Sequence, residues 1–260
     1  MILAMITRAL FAAQPASLAA GPTERRIAAR EAKQGVASDG RFVYAIDKRR
    51  IGKYAISTGR RIASWKGDRK RFRHLNSCTL VGRELVCAAS NYPELPQASS
   101  VEFFDSVNLS HLRSVSLGEG PGSLTVIDRH HGQWWAVFAN YDGRGGQPGR
   151  KHESTLLVRM DDAFRQLEAW TFPPSVLERF APMSASGASW TADGRLTVSG
   201  HDRPELYVVA IPPAGGVLDH VATVPVATRG QAIDWDPHDS TLLWSIDRKR
   251  NEMVASRPLL

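Results

Sequence analysis

Short apolar segments of the sequence are bounded by polar residues, among them two histidines and several hydroxyl, amide and charged side chains. Histidine titrates near neutral pH, so His74 and His201 are candidates for proton transfer, with Tyr141 and Asp142 assisting them. Other polar residues of the same segments would orient a substrate: Gln34, Asn76, Ser90, Asn91, Asn140, Ser189, Asp202, Arg203 and Gln231. We therefore predict acid/base chemistry on a small anionic or polyhydroxylated molecule.

A divalent metal is an alternative source of the chemistry. Imidazole nitrogens and amide oxygens are metal ligands, and the candidates are His74, His201, Asn91 and Asn140. The spacing lacks a compact motif such as His-Glu-x-x-His, and neither a nucleophile-elbow serine nor a phosphate-binding glycine loop is present. The cofactor is left open.

A repeated unit would position these residues. It has a glycine-containing start, a short strand, a tight polar turn, and a second strand that ends in a small and then a polar residue. Copies begin near residues 34, 74, 122, 186 and 230, and two more strand candidates follow each of the first four. This spacing suits four-stranded propeller blades. We expect an all-β fold, a five-bladed β-propeller, with six blades as the second choice.

The fifth copy ends one strand short, and residues 25–32 supply the missing strand. An N-terminal strand that closes the last blade would cover an otherwise open edge. Residues 24–260 are expected to form this single domain, and residues 1–23 a leader or signal-like segment. The one clear helical stretch is 173–180.

The antiparallel pairing of each unit predicts which residues meet. The start of an inner strand and the end of the second strand lie at one end of the channel, so His74, Asn91, Asn140 and His201 should converge there. The loop 143–153 is long and glycine-rich and could cover this end as a lid. The residues Asp128, His130 and His131 fall at the opposite end, and we interpret them as structural.

The formal net charge of +7 favours an acidic partner. Because Lys48, Arg203 and Arg248 lie at the predicted ligand end, we expect an anionic or polar small molecule, for example a carboxylate. A solvated charged rim is the alternative. Aromatic residues do not interleave with Lys and Arg runs, so nucleic acid is not predicted. No apolar run reaches 18 residues, so no membrane helix is expected. We expect a monomer.

The two cysteines, Cys78 and Cys87, flank a turn centred on residues 82–83 and should lie directly opposite each other. A disulfide there would suit an oxidising compartment. We favour two reduced cysteines packed as small apolar residues. The location is left open between the periplasm or secretion and the cytoplasm.

Four segments carry a family resemblance: residues 74–77, 90–93, 138–143 and 200–207. They resemble a group of bacterial and fungal proteins, some of which carry the label "cycloisomerase", and more distantly the propeller-type carboxymuconate lactonising enzymes. The resemblance spans about residues 30–258. It implies a propeller fold more than a particular reaction. The acid/base residues suit a lactonase-, cycloisomerase- or lyase-like reaction.

Two other functions remain open. One is a non-catalytic propeller that binds a glycan or a protein, although repeat-built lectins have near-identical sites in every blade and the strand ends here differ. The other is a five-bladed glycoside hydrolase, which needs two carboxylates at a defined separation. The candidates for that pair are Asp47, Asp142, Asp202 and Asp247.

Overall fold

The computed structural model describes residues 20–260, so most of the predicted leader lies outside the described residues. In the described part the strands form five four-stranded antiparallel sheets. The chain starts with β1 (Thr23–Ala28) and then builds one blade after another. Blade 1 contains β2 (Gly35–Ser38), β3 (Phe42–Asp47), β4 (Arg50–Ala55) and β5 (Arg61–Lys66).

The next two blades have longer inner strands. Blade 2 contains β6 (His74–Val81), β7 (Glu84–Ser90), β8 (Ala98–Asp105) and β9 (His111–Glu119). Blade 3 contains β10 (Ser123–His130), β11 (Gln133–Ala139), β12 (Leu156–Met160) and β13 (Gln166–Thr171). A short 3-10 helix (His152–Ser154) precedes β12.

The last two blades complete the ring. Blade 4 contains β14 (Gly187–Trp190), β15 (Leu196–Ser199), β16 (Glu205–Ala210) and β17 (Asp219–Pro225). Blade 5 contains β18 (Ile233–Asp236), β19 (Asp239–Asp247), β20 (Glu252–Ser256) and the N-terminal β1. The five-bladed β-propeller predicted from the repeat is therefore confirmed.

The last blade is closed by the N-terminal strand, as predicted. Strand β1 pairs antiparallel with β20, and Ile27 lies opposite Met253. The strand ends at Ala28, a few residues earlier in the chain than expected. Ile27 is buried with Trp244 and Ile246 of the blade core, so the strand is fixed by apolar packing as well as by its hydrogen-bond ladder.

Apolar layers between neighbouring blades form the core. Middle strands such as β3 are buried along almost their whole length because both faces meet another blade. Between blades 1 and 2, one apolar cluster includes Tyr44, Ile51, Leu75 and Phe104, and none of these four side chains is exposed. Each such side chain contributes roughly 1.5–3 kcal/mol of burial free energy. The outermost strands, such as β5, are mostly exposed.

The five inner strands surround the channel and contact one another in the order β2, β6, β10, β14, β18 and back to β2. Polar bonds join neighbours: Asn76 Nδ2 donates to the Leu124 carbonyl (2.7 Å) and Ser77 Oγ to the Thr125 carbonyl (2.8 Å). We call the end where the inner strands begin, at His74, the upper end. The end where they finish, at Asp236, is the lower end.

Helix α1 (Pro174–Phe180) follows blade 3 where the sequence predicted it. Its Val176, Leu177 and Phe180 pack into the core between blades 3 and 4. Within residues 20–260, no helix has both the length and the apolar character needed to span a membrane. Strand β10 runs to His130, so Asp128 lies within an inner strand.

The cysteines are opposed as predicted, but they are not reduced. Cys78 of β6 pairs with Cys87 of β7, and a disulfide joins them with a Cα–Cα distance of 4.0 Å. The expectation of two reduced cysteines is thus wrong. The hairpin register holds the two side chains side by side, which is the arrangement that bonding requires.

Candidate functional site

A cavity of about 690 Å³ opens at the upper end, where loops of blades 4, 5 and 1 meet. We call it the mouth pocket. Four chain segments build it: the segment before β2, the loop that follows β15 of blade 4, the loop before β18, and the β19–β20 turn. It is lined by Lys33, His201, Asp202, Ala227, Thr228, Arg229, Asp247, Arg248, Lys249 and Arg250.

Local backbone geometry places two of these segments. Asp247 Oδ1 accepts hydrogen bonds from the backbone N–H groups of Lys249 and Arg250, both at 3.1 Å, which fixes the β19–β20 turn. Gly230 has a φ of 58°, and a Cβ there would lie 2.2 Å from the His201 carbonyl oxygen. Only glycine allows this close approach, so the loop before β18 packs directly on His201.

The His201 imidazole is held on both sides. Its Nδ1 lies 2.7 Å from Asp202 Oδ1, and its Nε2 lies 3.0 Å from Arg248 Nη1. A guanidinium can only donate, so we assign Nε2 as the acceptor and Nδ1 as the protonated nitrogen that donates to Asp202. A neutral imidazole oriented through Nδ1 by a carboxylate is the arrangement of a general base that acts through Nε2.

The mouth pocket has an excess of positive charge, with five cationic side chains and two carboxylates among its lining residues. Asp247 pairs with Arg250 at 3.2 Å, and Asp202 is bound to His201. No residue of the described chain forms an ion pair with Arg229, Arg248 or Lys249. A concave surface with unneutralised cations attracts anions and offers them charge-assisted hydrogen bonds.

His74 stands at the start of β6 and is only 7% exposed. Burial, together with the nearby Lys48 and Arg248, lowers the pKa of His74 to about 4, so its ring is neutral near pH 7. Its ring meets Tyr92 edge-on at 5.3 Å, and Tyr92 meets Tyr141 at 5.2 Å. A row of three aromatic rings thus extends from the neighbourhood of Arg248 towards blade 3.

Tyr141 and Asp142 do not line the mouth pocket. Burial raises the pKa of Tyr141 above its ordinary value, so its hydroxyl stays protonated. Asp142 Oδ1 accepts hydrogen bonds from His152 N (3.0 Å) and Nδ1 (2.7 Å). Partial burial alone would raise the pKa of Asp142, but these bonds lower it below the ordinary value. We infer that the Asp142–His152 pair holds the two ends of the 143–153 loop together.

The Asp142, His152 and Glu153 ligand atoms lie within 4.8 Å of one another, which makes them a second potential metal set. The set predicted from the sequence fits less well, because His201 uses both ring nitrogens in hydrogen bonds. Asn91 also uses both amide atoms, with Nδ2 donating to the Pro96 carbonyl and Oδ1 accepting from the backbone N–H of Ala98 at the start of β8. A metal cofactor remains a prediction.

The remaining amides of the upper end support loops and blades. Asn140 Nδ2 donates to the carbonyls of Pro121 (2.8 Å) and Ser154 (3.0 Å). Asn76 Nδ2 joins blade 2 to blade 3 through the Leu124 carbonyl and also lies 3.4 Å from Ser90 Oγ within blade 2. A substrate contact by these side chains stays a prediction.

Four further predicted residues have different surroundings. Gln231 is 2% exposed beside His201, with a φ of 68° and no described acceptor for its Nε2. Gln34 accepts a backbone hydrogen bond from Ala232 N at 3.2 Å. Ser189 lies further down the channel, where its Oγ donates to a carboxylate at 3.2 Å. Arg203 is exposed and does not line the mouth pocket.

The 143–153 loop packs on blade 2. Gln97 Nε2 donates to the Gly145 carbonyl at 2.9 Å from a buried position. Gly145 has a φ of 81°, and a Cβ there would lie 2.3 Å from the Tyr92 ring. These contacts make the loop a wall of the upper end, and its movement as a lid remains a prediction.

Three carboxyls of the inner strands form what we call the lower carboxyl cluster: Asp128, Asp234 and Asp236. From the sequence, Asp128 was expected at this end as a structural residue, whereas Asp234 and Asp236 were not selected. Protein donors satisfy them. The Ser38 backbone N–H donates to Asp234 Oδ2 (2.8 Å), and Thr79 Oγ1 donates to Asp128 Oδ1 (3.0 Å). Asp236 Oδ2 accepts from Ser38 Oγ at 2.8 Å.

Two carboxyls of the cluster, those of Asp128 and Asp234, hold protons more tightly than ordinary carboxyls do. Burial raises the pKa of Asp128 to about 6. Burial, reinforced by repulsion from Asp128 and Asp236, raises the pKa of Asp234 well above its ordinary value. The signal was present in the sequence, because Asp234 and Asp236 lie two residues apart in an inner strand.

The mouth pocket also contains cations that the sequence analysis did not select: Lys33, Arg229, Lys249 and Arg250. The available signal was the run of three cations at residues 248–250 in one hairpin turn. Lys33 and Arg229 lie in loops, and nothing local indicates that their side chains face the same cavity.

No family model and no curated protein matches the chain. Among solved structures it is similar to a luciferin-regenerating enzyme (TM-score 0.52, 11% identity, covering 91% of this chain and 95% of that one). It is also similar to a PQQ-bound aldose sugar dehydrogenase from Streptomyces coelicolor (0.52, 15%, 86% and 79%). A chain of a mitotic checkpoint complex is similar as well (0.51, 10%, 99% and 98%).

These identities show a shared fold alone, and the fold is that of the β-propellers. The similar structures include enzymes as well as a chain of a checkpoint assembly, so the likeness does not decide whether this chain is catalytic. The cycloisomerase resemblance stays a prediction.

Proposed function

We propose that the protein is an enzyme that binds a small carboxylate-bearing molecule in the mouth pocket and transforms it by acid/base chemistry at His201. One observation carries the proposal. A neutral imidazole, oriented by Asp202 at 2.7 Å, faces a cavity whose remaining charges are mostly cationic. The imidazole supplies the proton transfer, and the cations supply the binding of the anion.

Lactone hydrolysis is the simplest reaction of this class. Water attacks the lactone carbonyl carbon while His201 Nε2 takes its proton, and Asp202 stabilises the resulting imidazolium through Nδ1–H. The ring C–O bond then breaks, and His201 returns the proton to the departing alkoxide oxygen. The product is a hydroxy acid, which loses its carboxyl proton to solvent at neutral pH.

The other groups have supporting roles in this proposal. Arg229, Arg248 and Lys249 hold the anion, because they lack ion-pair partners within the described chain. His74 is neutral and buried near Arg248, so it offers a hydrogen bond and not a charge. A divalent ion at His201 Nε2 would have to displace the Arg248 guanidinium and sit beside its positive charge, so we favour the route without a metal.

The glycoside hydrolase alternative finds less support. Asp202 is engaged by His201, Asp247 holds its turn and pairs with Arg250, and Asp142 is bonded to His152. The fourth candidate, Asp47, accepts a hydrogen bond from the Lys48 backbone N–H at 2.9 Å. All four carboxylates thus have protein partners, and no pair among them stands out as the catalytic acid and nucleophile. Binding without catalysis is instead an outcome of the experiment below.

The test uses two sugar lactones. Saccharolactone carries a carboxylate and gluconolactone does not, and hydrolysis of either releases a proton that a pH-stat records. We expect faster turnover of saccharolactone, and we expect His201→Gln to reduce kcat by roughly 10²–10⁴-fold, the usual contribution of a general base. Citrate affinity, measured by calorimetry, should change far less in this variant.

The matched control is His131→Gln, which alters an exposed histidine in the lower-end hairpin and should leave turnover unchanged. An equal loss in both variants would contradict the role of His201. Citrate binding without hydrolysis of either lactone above the uncatalysed rate would indicate a binding propeller.

A further inference from the structure

The Arg248 side chain makes one hydrogen bond within the described chain. Its acceptor is His201 Nε2, the atom that takes the proton in the proposed reaction. Arg248 Nη1 lies 3.0 Å from this nitrogen. Its backbone is anchored separately, because the Arg248 carbonyl accepts a hydrogen bond from Lys33 Nζ at 2.8 Å. The guanidinium can therefore leave His201 while the backbone of the turn stays in place.

A guanidinium on an imidazole is only partly satisfied. It has five N–H donors in a planar fork that matches a carboxylate, and a neutral ring nitrogen accepts one of them. Hydrogen bonds between two charged partners are shorter and stronger than those to a neutral acceptor. No carboxylate of the described chain pairs with Arg248, so a carboxylate that enters the pocket is its best available partner.

We infer that Arg248 is the receptor for the ligand's carboxylate and that it masks His201 until such a ligand arrives. A bound carboxylate draws the guanidinium away from Nε2, while Asp202 keeps the ring oriented through Nδ1–H. The free Nε2 then faces the ligand that released it. Arg248 thereby makes the pocket selective for carboxylate-bearing molecules over neutral ones of the same size.

The catalytic meaning of this inference rests on the proposed function, but the masking itself is independent of turnover. Diethyl pyrocarbonate acylates an unprotonated, accessible imidazole nitrogen, and mass spectrometry of the digest quantifies the reaction at each histidine. The full chain is treated alone, with citrate, and with sodium chloride of equal ionic strength. The exposed His131 serves as the internal reference.

We expect citrate to increase the acylation rate of His201 several-fold in the wild type, whereas sodium chloride has little effect. The Arg248→Met variant should react fast without citrate and should no longer respond to it. The Arg229→Met variant is the matched control, because it removes a pocket cation that does not contact His201. Without citrate it should protect His201 as the wild type does.

Two results would overturn the inference: no increase in His201 reactivity in Arg248→Met, or protection of His201 by citrate. Circular dichroism checks folding, and if Arg248→Met does not fold, the wild-type comparison of citrate with sodium chloride decides alone. Unmasking by citrate without hydrolysis of any lactone would keep this inference and refute the proposed catalysis.

Discussion

The two ends of the channel carry opposite charges and treat them differently. At the upper end, Arg229, Arg248 and Lys249 have no ion-pair partner within the described chain, and they surround a cavity of about 690 Å³. At the lower end, the carboxyls of Asp128 and Asp234 accept hydrogen bonds from neighbouring inner strands. The same scaffold thus has one end with unused charges and one end whose charges are satisfied internally.

This difference separates binding from structural roles. Unsatisfied cations at a cavity are available to a ligand, whereas hydrogen-bonded carboxyls with raised pKa values can neutralise themselves by holding protons. Perturbed pKa values occur both at functional sites and in structural hydrogen-bond networks, so they do not by themselves assign a role to the lower carboxyl cluster. Whether a charged group lacks a partner within the protein is the more useful criterion.

The largest expected effect is the loss of anion binding at the upper end. The double variant Arg229→Met/Arg248→Met removes two charge-assisted contacts, each worth about 1.5–3 kcal/mol. Citrate affinity should therefore fall by roughly 10²–10⁴-fold in calorimetry. Asp234→Asn at the lower end is the matched control and should leave citrate affinity unchanged. Equal losses in both variants would mean that the two ends do not differ as described.

The next effect concerns stability at the lower end. Folding raises the pKa of Asp128 from 3.8 to about 6, so the folded state binds the proton more tightly than the unfolded state does. The stability of the wild type should fall as the pH rises from about 4 to about 6. The Asp128→Asn variant keeps the shape of the side chain but not this charge, so it should be more stable by roughly 1–3 kcal/mol at pH 8.

Urea unfolding at pH 8 and pH 5 measures this difference, which should be smaller at pH 5. The amide oxygen of the variant can still accept from Thr79 Oγ1, which bonds to Asp128 in the wild type at 3.0 Å. Lower stability of Asp128→Asn at pH 8 would show that the folded protein favours the charged carboxylate and would reverse our interpretation.

The fold could be predicted from the sequence because its signals are local. Glycine-bounded strand pairs specified the blades, and the one-strand deficit after residue 256 predicted the N-terminal closure that Ile27 and Met253 make. Hairpin counting also placed Cys78 opposite Cys87. It could not decide whether the sulfurs bond, because the same opposed pair suits two packed thiols.

The site could be predicted only in part. Topology placed His74 and His201 correctly at the upper end, because antiparallel pairing fixes where strands start and finish. It did not distinguish Asn91, whose amide closes its own loop, from His201, whose ring faces a cavity. Side-chain direction in loops depends on contacts distant in sequence, and for that reason Lys33 and Arg229 were missed.

The smallest predicted effect concerns a charged group of the upper end that, unlike Arg229 and Lys249, has a partner within the described chain. Asp142 is a carboxylate there, but His152 satisfies it through two hydrogen bonds. If only charged groups without a protein partner bind the ligand, Asp142→Asn should leave citrate affinity unchanged. The variant should cost about 1 kcal/mol of stability at pH 7. Urea unfolding and calorimetry measure the two quantities.

The sign of the pH dependence should be opposite to that at the lower end. The pKa of Asp142 is lowered in the folded state, so its contribution to stability is present above the unfolded pKa and is lost as the pH falls through the folded one. The deficit of Asp142→Asn should therefore shrink in acid. Glu153→Gln is the control, because Glu153 is exposed and lies 3.8 Å from the same imidazole, and it should change little. A clear loss of citrate affinity in Asp142→Asn would place Asp142 among the ligand-binding groups and extend the site to blade 3.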